Sequence, residues 1–465
     1  MKNKHLYFSF FSWIAPGVLL SCSPEEIGDS NKYDDKDKKK PNIIVIFTDD
    51  QGYADLGIQG QVNDISTPYI DKLAKEGVRF TNGYVSAPVS GPSRVGLISG
   101  KYQERFGVES NSSLSNFNLY QDALTLPQRL KEKNYVTGLV GKAHFGRTIG
   151  SMGFDEYFMH HTAPWDPIYT STHNLDGVKY TSPNTIDLRT LDKYRLEEET
   201  NRALHFIDNH AKENFFLYLA YTAPHVPLAA PQKYLDRFSS VEDKDRHLCL
   251  AMMSAVDDGV GRIMRLLEEK GIEEETIIFF TSDNGGMMEF GTEGYNHSLN
   301  TPLSGEKGLL LEGGIRVPWI IYWSGTIPGG QIIDSPVITL DIAPTILSLA
   351  ESSKISDLDG INLYPYITDP GKTIPERSLF WYSRAQIAVR KGPWKLFKTT
   401  HNDFSYLVNL DEDIAEQNDI SNDHPEIVET LIKELDEWQS KMQISPDEDI
   451  LPPSMENRLF YYLNK

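Results

Sequence analysis

The segment Ser90-Gly-Pro-Ser-Arg94 places a hydroxyl group and a fixed positive charge near the start of a short predicted helix. Pro92 suits the first helical turn, and Gly100 suits the end of the helix. We place Ser90 immediately before the helix, where its oxygen would face unpaired backbone N–H groups and the positive end of the helix dipole. Such a position favours an anion. The segment by itself is equally typical of an ordinary loop-to-helix turn.

Two acidic pairs could bind a metal ion. Asp49-Asp50 and Asp283-Asn284 offer hard oxygen ligands, which suit Ca²⁺ or Mg²⁺. The sequence has no Cys/His cluster of the kind that would indicate a Zn²⁺ site. A single Asp-Asp pair is usually a helix cap or a turn. The second pair, at the end of another predicted strand, favours a metal site instead.

Cationic and imidazole side chains follow other predicted strands. Lys142 and His144 follow one strand, His225 follows another, and Lys307 lies in a glycine-rich loop. A lone His or Lys is more often structural or simply solvated. Together with Arg94, these groups would converge beside a metal and form a site for sulfate or phosphate, in which charge-assisted hydrogen bonds stabilise the transition state.

An alternation of strands and helices must position these groups. The pattern predicts an α/β fold, a largely parallel sheet with helices on both faces. The predicted strands are 43–47, 135–140, 215–220 and 276–281, and the predicted helices are 127–133, 191–211, 247–270 and one that starts at Thr67-Pro68. Each of the four strands is followed directly by one of the polar clusters. In open parallel sheets, ligands bind just beyond the carboxyl ends of the strands.

The pattern changes after about residue 370. Short strands at 378–382, 386–390, 394–398 and 406–409 precede an amphipathic helix at 425–442, which indicates a small antiparallel sheet with a packing helix. We therefore expect a catalytic domain at 41–370 and a C-terminal α+β subdomain at 371–465.

The amino terminus is typical of an exported lipoprotein. Residues 1–21 read as a signal peptide with Lys2 and Lys4 at its start, and Leu19-Leu20-Ser21-Cys22 resembles the bacterial lipobox, in which the cysteine is lipidated. Residues 22–40 are polar and charged, as expected of a flexible tether. We expect anchoring to a bacterial membrane, on the periplasmic or cell-surface face of the outer membrane. A plain signal peptide and an uncleaved anchor are the alternatives.

Composition narrows the range of partners. The chain has 465 residues and a net charge of −21, which argues against nucleic acid as a partner. An anionic substrate must therefore be held by a local cluster of positive groups. Cys249 lies in an apolar helical pattern and is expected to be a buried small side chain.

The motifs in this order resemble those of the formylglycine-dependent, arylsulfatase-like sulfatases, in particular bacterial polysaccharide sulfatases of the serine type. The resemblance runs from about residue 41 into the C-terminal region. It rests on Asp49-Asp50, Ser90-x-Pro-Ser-Arg94, Gly141-Lys-x-His144, His225-x-Pro, Asp283-Asn-Gly, and Lys307 before Glu312-Gly-Gly-x-Arg316. It implies an alkaline-phosphatase-like fold, with a large mixed, mostly parallel sheet and a small C-terminal antiparallel sheet.

The resemblance also implies a mechanism. Ser90 is oxidised to formylglycine by an anaerobic-type sulfatase-maturing enzyme and hydrated to a geminal diol, one hydroxyl of which attacks sulfur at the metal. His225 and Lys307 assist departure of the alcohol, and His144 helps to remove the proton of the second hydroxyl. The implied roles of the remaining residues are Ca²⁺ binding by Asp49, Asp50, residue 90, Asp283 and Asn284, and positioning of formylglycine and sulfate by Arg94 and Lys142.

The chemistry of serine gives an independent reason for the modification. An unmodified serine could form a sulfate ester but has no second hydroxyl with which to expel the sulfate, whereas a geminal diol has one.

Two other functions fit parts of the pattern. A two-zinc phosphatase or phosphodiesterase of the same superfold would use Ser90 unmodified, but it would need histidine ligands, commonly an Asp-His pair where this chain has Asp283-Asn284. A non-catalytic carbohydrate-binding lipoprotein would lack a site residue, and none is missing.

A sulfated polysaccharide or its oligosaccharides is the expected substrate, of algal galactan, ulvan or glycosaminoglycan type. The stretch Lys101–Phe106 resembles sulfatases that act on galactose-type and N-acetylgalactosamine-type sugars. His160-His161, Trp165-Asp166 and Tyr169 are candidates for sugar contacts, although ordinary loop packing is the more common explanation for such residues.

Overall fold

The structure is a computed structural model of the chain. It describes residues 40–465 except 117–122, 146–151, 162–167, 176–177, 182–185, 188–193, 288–294, 354, 401–403, 445–452 and 464–465. The predicted signal peptide, Cys22 and the tether before residue 40 lie outside the described residues, as do Trp165-Asp166 and the side chains of His160, His161 and Tyr169. No helix in the described part of the chain is both long and apolar enough to cross a membrane.

Strand β1 (Asn42–Thr48) shows why a central strand forms where it does. Its sequence NIIVIFT is rich in β-branched residues, and all of its residues are buried. Burial of each large apolar side chain contributes about 1.5–3 kcal/mol. A strand that is apolar on both faces is stable only in the middle of a covered sheet, as the sequence predicts.

The strands of the described residues are β1 Asn42–Thr48, β2 Val78–Phe80, β3 Gly83–Tyr84, β4 Val136–Gly141, β5 Glu156–His161, β6 Ile168–Leu175, β7 Val178–Thr181, β8 Ile186–Asp187, β9 Phe215–Ala220, β10 Thr276–Ser282, β11 Trp319–Tyr322, β12 Gln331–Ile333, β13 Val337–Ile338, β14 Ser378–Ser383, β15 Gln386–Lys391, β16 Trp394–Thr399 and β17 Ser405–Asn409. In this part of the chain, eleven of them form one mixed sheet in the order β12-β2-β11-β10-β1-β9-β4-β5-β6-β7, with β8 paired to β6. The strands beside β1 are parallel to it and continue the parallel centre through β9, β4 and β5, whereas β11 and β6 are antiparallel.

Helices cover both faces of this sheet. The helices of the described residues, including those beside the small C-terminal sheet, are α1 Pro68–Glu76, α2 Ser90–Ser99, α3 Leu126–Lys131, α4 Arg195–His210, α5 Gln232–Leu235, α6 Lys244–Lys270, α7 Glu312–Ile315, α8 Ile342–Leu349, α9 Tyr364–Ile367, α10 Pro425–Gln439 and α11 Pro453–Leu463. Short 3₁₀ helices lie at Gly57–Gln59, Gln103–Phe106, Ser112–Asn116, Asp236–Phe238 and Thr339–Asp341.

Alternate residues of β1 enter two separate cores. Val45 belongs to the core that contains α2, α3, α8 and the small C-terminal sheet. Ile44 belongs to the core that contains α1, α4 and α6. This division follows from the two-residue period of a strand, and it confirms the prediction of helices on both faces. Cys249 of α6 is fully buried, as its apolar surroundings predict.

The small C-terminal sheet is antiparallel, in the order β14-β15-β16-β17, and α10 follows it as predicted. Helix α11 was not predicted. Two predicted helix starts differ from the structure by more than one residue. Helix α4 begins at Arg195, four residues after the predicted start at 191. Helix α6 begins three residues before His247 because the side chain of Asp243 accepts a hydrogen bond from the backbone N–H of Arg246 at 2.7 Å. The division into domains near residue 370 stays a prediction.

Candidate active site

Two acidic pairs lie side by side where adjacent parallel strands end. Asp49-Asp50 follow β1 and Asp283-Asn284 follow β10, and the strand register pairs Thr48 with Ser282. The backbone N–H of Asp50 donates to Oδ1 of Asp283 at 3.0 Å. All four of these side chains belong to residues that are at most 2% exposed. Parallel pairing therefore brings together residues that are far apart in the sequence.

Helix α2 delivers Ser90 to the same cluster. The prediction that Ser90 precedes the helix is wrong by one residue, because the extended N-cap conformation belongs to Val89 and Ser90 is the first helical residue. Its Oγ lies 3.3 Å from Oδ1 of Asp49 and 3.2 Å from Oδ1 of Asn284. The helix ends as predicted at Gly100, whose φ of 68° is the left-handed conformation that glycine adopts without strain.

A lysine contacts each of the two acids after β1. Lys142 Nζ donates to both carboxylate oxygens of Asp49, at 2.8 and 2.7 Å, and lies 3.5 Å from Ser90 Oγ. Lys307 Nζ donates to the carboxylate of Asp50 at 2.7 Å. The two lysines thus neutralise neighbouring carboxylates beside the serine hydroxyl.

A glycine before Lys142 allows the backbone to approach the neighbouring strand closely. Gly141 has a φ of 97°, and a Cβ atom there would lie 2.0 Å from the carbonyl oxygen of Ala220 on β9. Only glycine fits this position without moving the strand. The next backbone N–H, that of Lys142, donates to the same carbonyl at 2.9 Å.

Arg94 is fully buried and contacts protein groups. Its Nε and Nη2 donate to Oδ2 of Asp283 at 3.0 and 2.7 Å, and its Nη1 donates to the carbonyl oxygen of Lys142 at 3.0 Å. The guanidinium also lies 5.2 Å from the ring centroid of Phe47. Arg94 therefore orients one acid and one lysine of the cluster.

The cations keep the acids ionised although they are buried. Burial by itself would raise the pKa of the Asp49 carboxyl. The positive charge of Lys142, together with His225 and Arg94, outweighs burial and holds that pKa below its ordinary value. Burial likewise opposes ionisation of Asp50, and Lys307 and His225 hold its pKa below the ordinary value. Negative oxygens are thus available in a site with almost no contact with water.

His225 lies at the more open side of the cluster. Its side chain is 26% exposed, and its Nε2 lies 3.6 Å from Oδ2 of Asp50. Its Nδ1 lies 2.6 Å from the carbonyl oxygen of Val226, an acceptor, so Nδ1 carries the proton. Burial lowers the pKa of His225 below its ordinary value, although Asp49 and Asp50 oppose the shift. The free Nε2 is therefore the nitrogen that faces the site.

His144 is the second imidazole of the site. Its backbone has a positive φ of 53°. Its Nδ1 is buried and has no hydrogen-bond partner among the described residues. Burial, together with the positive charges of Lys142 and Arg94, lowers the pKa of His144 to about 3. The ring is consequently neutral at neutral pH and able to accept a proton.

A loop that was not predicted as part of the site supports the acidic pairs. Asn296, Ser298 and Asn300 are fully buried. Nδ2 of Asn296 donates to the carbonyl oxygen of Asp50 at 2.6 Å, and Oδ1 of Asn300 accepts from the backbone N–H of Gly286 at 2.8 Å. The signal in the sequence was the alternation of small polar residues at these three positions, which is typical of side chains that bind neighbouring backbone.

Glu312 and Arg316 form a separate buried network. Glu312 accepts hydrogen bonds from the hydroxyl of Tyr84 at 2.6 Å, Arg316 Nη1 at 3.2 Å and Lys395 Nζ at 2.9 Å. Lys395 on β16 also donates to Glu416 at 2.8 Å. These contacts join the end of the Lys307 loop to the small C-terminal sheet.

The oxygens at the strand ends fit a hard cation. Three residues, Asp49, Asp50 and His225, offer possible ligand atoms that all lie within 4.8 Å of one another. Ser90 Oγ and Asn284 Oδ1 adjoin these oxygens, as the distances above show. A donor set dominated by buried carboxylate, amide and hydroxyl oxygens matches Ca²⁺ or Mg²⁺ chemistry. The family resemblance implies a role for His225 in proton transfer and not in metal binding.

The fixed charges of the site balance before any ion binds. The acids are Asp49, Asp50 and Asp283, and the cations are Arg94, Lys142 and Lys307. A bound divalent cation therefore leaves a local excess of positive charge, which an anionic ester would neutralise.

Comparison with known proteins supports a family for this chain. Residues 41–352 match the family model described as Sulfatase, and residues 305–441 match the one described as N-sulphoglucosamine sulphohydrolase, C-terminal. Arylsulfatase J of Mus musculus is 30% identical over 470 residues, which cover 86% of this chain and 76% of that protein. N-acetylgalactosamine-6-sulfatase of Canis lupus familiaris is 32% identical over 384 residues, which cover 76% of this chain and 71% of that protein.

A solved crystal structure is also similar to this chain in both fold and sequence. Ps i-CgsB, crystallised in complex with k-i-k-neocarrahexaose, has a TM-score of 0.76 and 32% sequence identity, and the match covers 91% of this chain and 98% of that chain. The predicted alkaline-phosphatase-like fold is confirmed. Given the family match over most of its length, this chain belongs to the sulfatase family and is an enzyme that hydrolyses sulfate esters.

Proposed function

We propose that the chain removes sulfate from a sulfated polysaccharide or its oligosaccharides, through a formylglycine diol made from Ser90. The observation that carries the proposal is the position of Ser90 Oγ, 3.3 Å from Oδ1 of Asp49 and 3.5 Å from Lys142 Nζ. Cationic groups beside a nucleophile stabilise the negative charge that develops when an oxygen attacks a sulfate ester.

The two imidazoles suit the two proton transfers of this reaction. When one diol oxygen, ionised by loss of its proton to solvent, bonds to sulfur, the ester bond breaks. The departing alcohol takes a proton from Lys307, or from Nε2 of His225 when that ring is protonated; these side chains are 15% and 26% exposed at the open side. His144, neutral because its pKa is lowered to about 3, then accepts the proton of the second hydroxyl. The bond to sulfate breaks, the aldehyde forms again, and water restores the diol.

Asp49, Asp50, residue 90, Asp283 and Asn284 would hold the metal ion, which we assign as Ca²⁺. Bound there, the cation would polarise the sulfate oxygens and stabilise the ionised nucleophile. Arg94 acts in this scheme through Asp283 and the backbone of Lys142, which it orients by the hydrogen bonds described above.

Removal of calcium is expected to lower both activity and thermal stability, because the carboxylates of the site lose a ligand bound by the folded state. At a ligand concentration about 100-fold above Kd, binding contributes about 2.7 kcal/mol of stability. The measurement compares sulfate release and Tm before and after dialysis against EGTA. Adding Ca²⁺ back should restore both, and Mg²⁺ should not. Unchanged activity in protein that elemental analysis shows to be free of metal would exclude the metal from the mechanism.

Two relatives bear on the substrate. Ps i-CgsB was crystallised with k-i-k-neocarrahexaose, and N-acetylgalactosamine-6-sulfatase is named for a galactose-type sugar. The names point to sulfated galactans and glycosaminoglycans as the first substrates to test, with ulvan as the third class.

We expect the matured protein to release sulfate from oligosaccharides of at least one of these classes with a higher kcat/KM than from an aryl sulfate. Sugar contacts beyond the sulfate supply additional binding energy in the transition state. Ion chromatography of free sulfate measures the release, and matched phosphorylated sugars serve as the control. Activity on aryl sulfates alone would exclude the carbohydrate substrate, and preference for the phosphate esters would support the phosphatase alternative.

The proposal includes two events outside the catalytic cycle. The lipobox-like sequence before Cys22 supports export and attachment of the chain to a bacterial membrane through a lipid. The serine at position 90 supports modification by an anaerobic-type sulfatase-maturing enzyme, since a serine must lose two hydrogen atoms to become an aldehyde.

A further inference from the structure

Lys307 is held by the backbone of its loop from two directions. Its N–H donates to the carbonyl oxygen of Gly286 at 3.1 Å, and the N–H of Gly308 donates to that of Pro88 at 2.9 Å. Gly286 lies two residues after Asn284, and Pro88 lies two residues before Ser90. The loop is thus tied to both segments that carry the predicted reaction centre.

A third contact comes from helix α11, close to the end of the chain. Arg458 donates from Nε to Oε1 of Glu306 at 2.6 Å and from Nη2 to the carbonyl oxygen of Lys307 at 2.8 Å. The side chain of Glu306 is fully buried, and that of Arg458 is 11% exposed. The planar fork of an arginine fixes two acceptors relative to each other, which a lysine cannot do.

Helix α11 is itself packed onto the body of the protein. Leu459 is fully buried and Tyr462 is 7% exposed. The ring of Phe460 packs edge-on against Phe404 with centroids 5.6 Å apart, and Nε2 of Gln417 donates to the carbonyl oxygen of Tyr462 at 3.3 Å. These contacts give Arg458 a fixed base. The helix begins after residue 441, where the second family match ends.

We propose that Arg458 is a positioning residue for Lys307, so that the C-terminal helix completes the active site. The inference rests on the proposed role of Lys307 in assisting departure of the alcohol. Without Arg458, the loop keeps its two backbone hydrogen bonds but loses the charged contact that fixes the carbonyl of Lys307. Its Nζ would then sample positions away from Asp50 and from the leaving oxygen, and small displacements of a catalytic group are costly in kcat.

The test compares Arg458→Gln with Arg129→Gln in the full-length, matured protein. Arg129 is a matched control because it also bonds a carboxylate, that of Asp357 at 2.6 and 3.0 Å, and a backbone carbonyl, that of Leu124 at 3.3 Å. We expect Arg458→Gln to lower kcat by about 10- to 100-fold with little change in KM, and Arg129→Gln to leave kcat within about twofold of the wild type. Arg458→Lys, which keeps the charge, should recover part of kcat.

Hydrogen exchange of the peptide that contains Lys307 and Gly308 gives a readout independent of activity. Exchange of these two amides should accelerate in Arg458→Gln and stay unchanged in Arg129→Gln. Equal kcat losses in both glutamine variants, or exchange unchanged by Arg458→Gln, would overturn the inference. Absence of turnover in the unaltered matured protein would reject the proposed function, and the exchange experiment alone would then decide whether Arg458 orders the loop.

Discussion

Replacing Ser90 by alanine is expected to reduce kcat for sulfate ester hydrolysis by a factor on the order of 10⁶, the scale on which loss of a covalent nucleophile acts. Alanine has no oxygen to oxidise, so neither the aldehyde nor the diol can form. The side chain is 1% exposed and packed among Asp49, Asn284 and Lys142, so alanine fits the space without a clash. The fold should persist, and Tm should change little.

The matched control is Ser99→Ala. Ser99 lies at the other end of the same helix, is also 1% exposed, and donates to the carbonyl oxygen of Val95 at 2.7 Å. This variant should keep the activity of the wild type. Sulfate release is measured at saturating substrate for both variants.

Mass spectrometry of the peptide that contains Ser90 connects the activity to the modification. Wild-type protein made together with a maturing enzyme should show the loss of two hydrogen atoms at Ser90 and should be active. Wild-type protein made without a maturing enzyme should keep an intact Ser90 and should be inactive. Full turnover by wild-type protein with an intact serine would refute the diol mechanism and favour direct attack by the hydroxyl.

Replacing Glu312 by glutamine is expected to destabilise the protein by about 3–5 kcal/mol, the cost of removing one partner from a buried ion pair. Glu312 is fully buried, and Lys395, one of its partners, is 1% exposed. Glutamine is nearly isosteric, but it removes the carboxylate charge that faces Arg316 and leaves Lys395 with Glu416 as its acidic partner. The free energy of unfolding is measured by urea denaturation.

The destabilisation should depend on pH in a defined direction. Burial raises the pKa of Glu312, but Lys395, Arg316 and Arg390 outweigh it and lower that pKa to about 2 from an ordinary value of 4.5. A lowered pKa in the folded state means that the ionised carboxylate contributes its stability above pH 4.5 and loses it as the pH falls towards 2. The difference between wild type and Glu312→Gln should therefore shrink across this window.

Glu434→Gln is the control for Glu312→Gln. Glu434 binds Lys391 of the same small sheet at 2.6 Å, but its side chain is 28% exposed. A partly solvated pair of this kind contributes about 1 kcal/mol or less. Equal destabilisation by the two substitutions would contradict the view that burial makes the Glu312 network important.

The parallel centre of the sheet was predictable because its signal is local. The residues Ile43–Phe47 form a continuous apolar run, and the acidic pair Asp49-Asp50 shortly after it indicates where the strand ends. The prediction that Asp49-Asp50 and Asp283-Asn284 meet required only the rule that parallel strands end at one edge. The structure brings these pairs together with Ser90, Lys142 and Lys307.

The missed parts depend on contacts between distant residues. From the sequence alone, Lys395 looks like a solvated residue of a short strand. In the structure it is 1% exposed and binds Glu312 and Glu416, which lie 83 and 21 residues away in the sequence, so no local pattern indicates its burial. Nothing near Arg458 in the sequence indicates that Glu306 is its partner. The one-residue error at Ser90 has a different cause, since sequence patterns do not define helix ends to the residue.

The burial of helix α2 fixes an order of events in time. All 10 of its residues are buried, and Ser90 itself is 1% exposed. A maturing enzyme of protein size must bind several residues of backbone on either side of the side chain that it oxidises. In the folded molecule every residue of α2 is buried, and Val89 before it is only partly exposed. Under the proposed chemistry, oxidation therefore has to come before α2 docks into the core. A chain that folds before Ser90 is oxidised would stay inactive, and it would have to unfold before the maturing enzyme could reach Ser90.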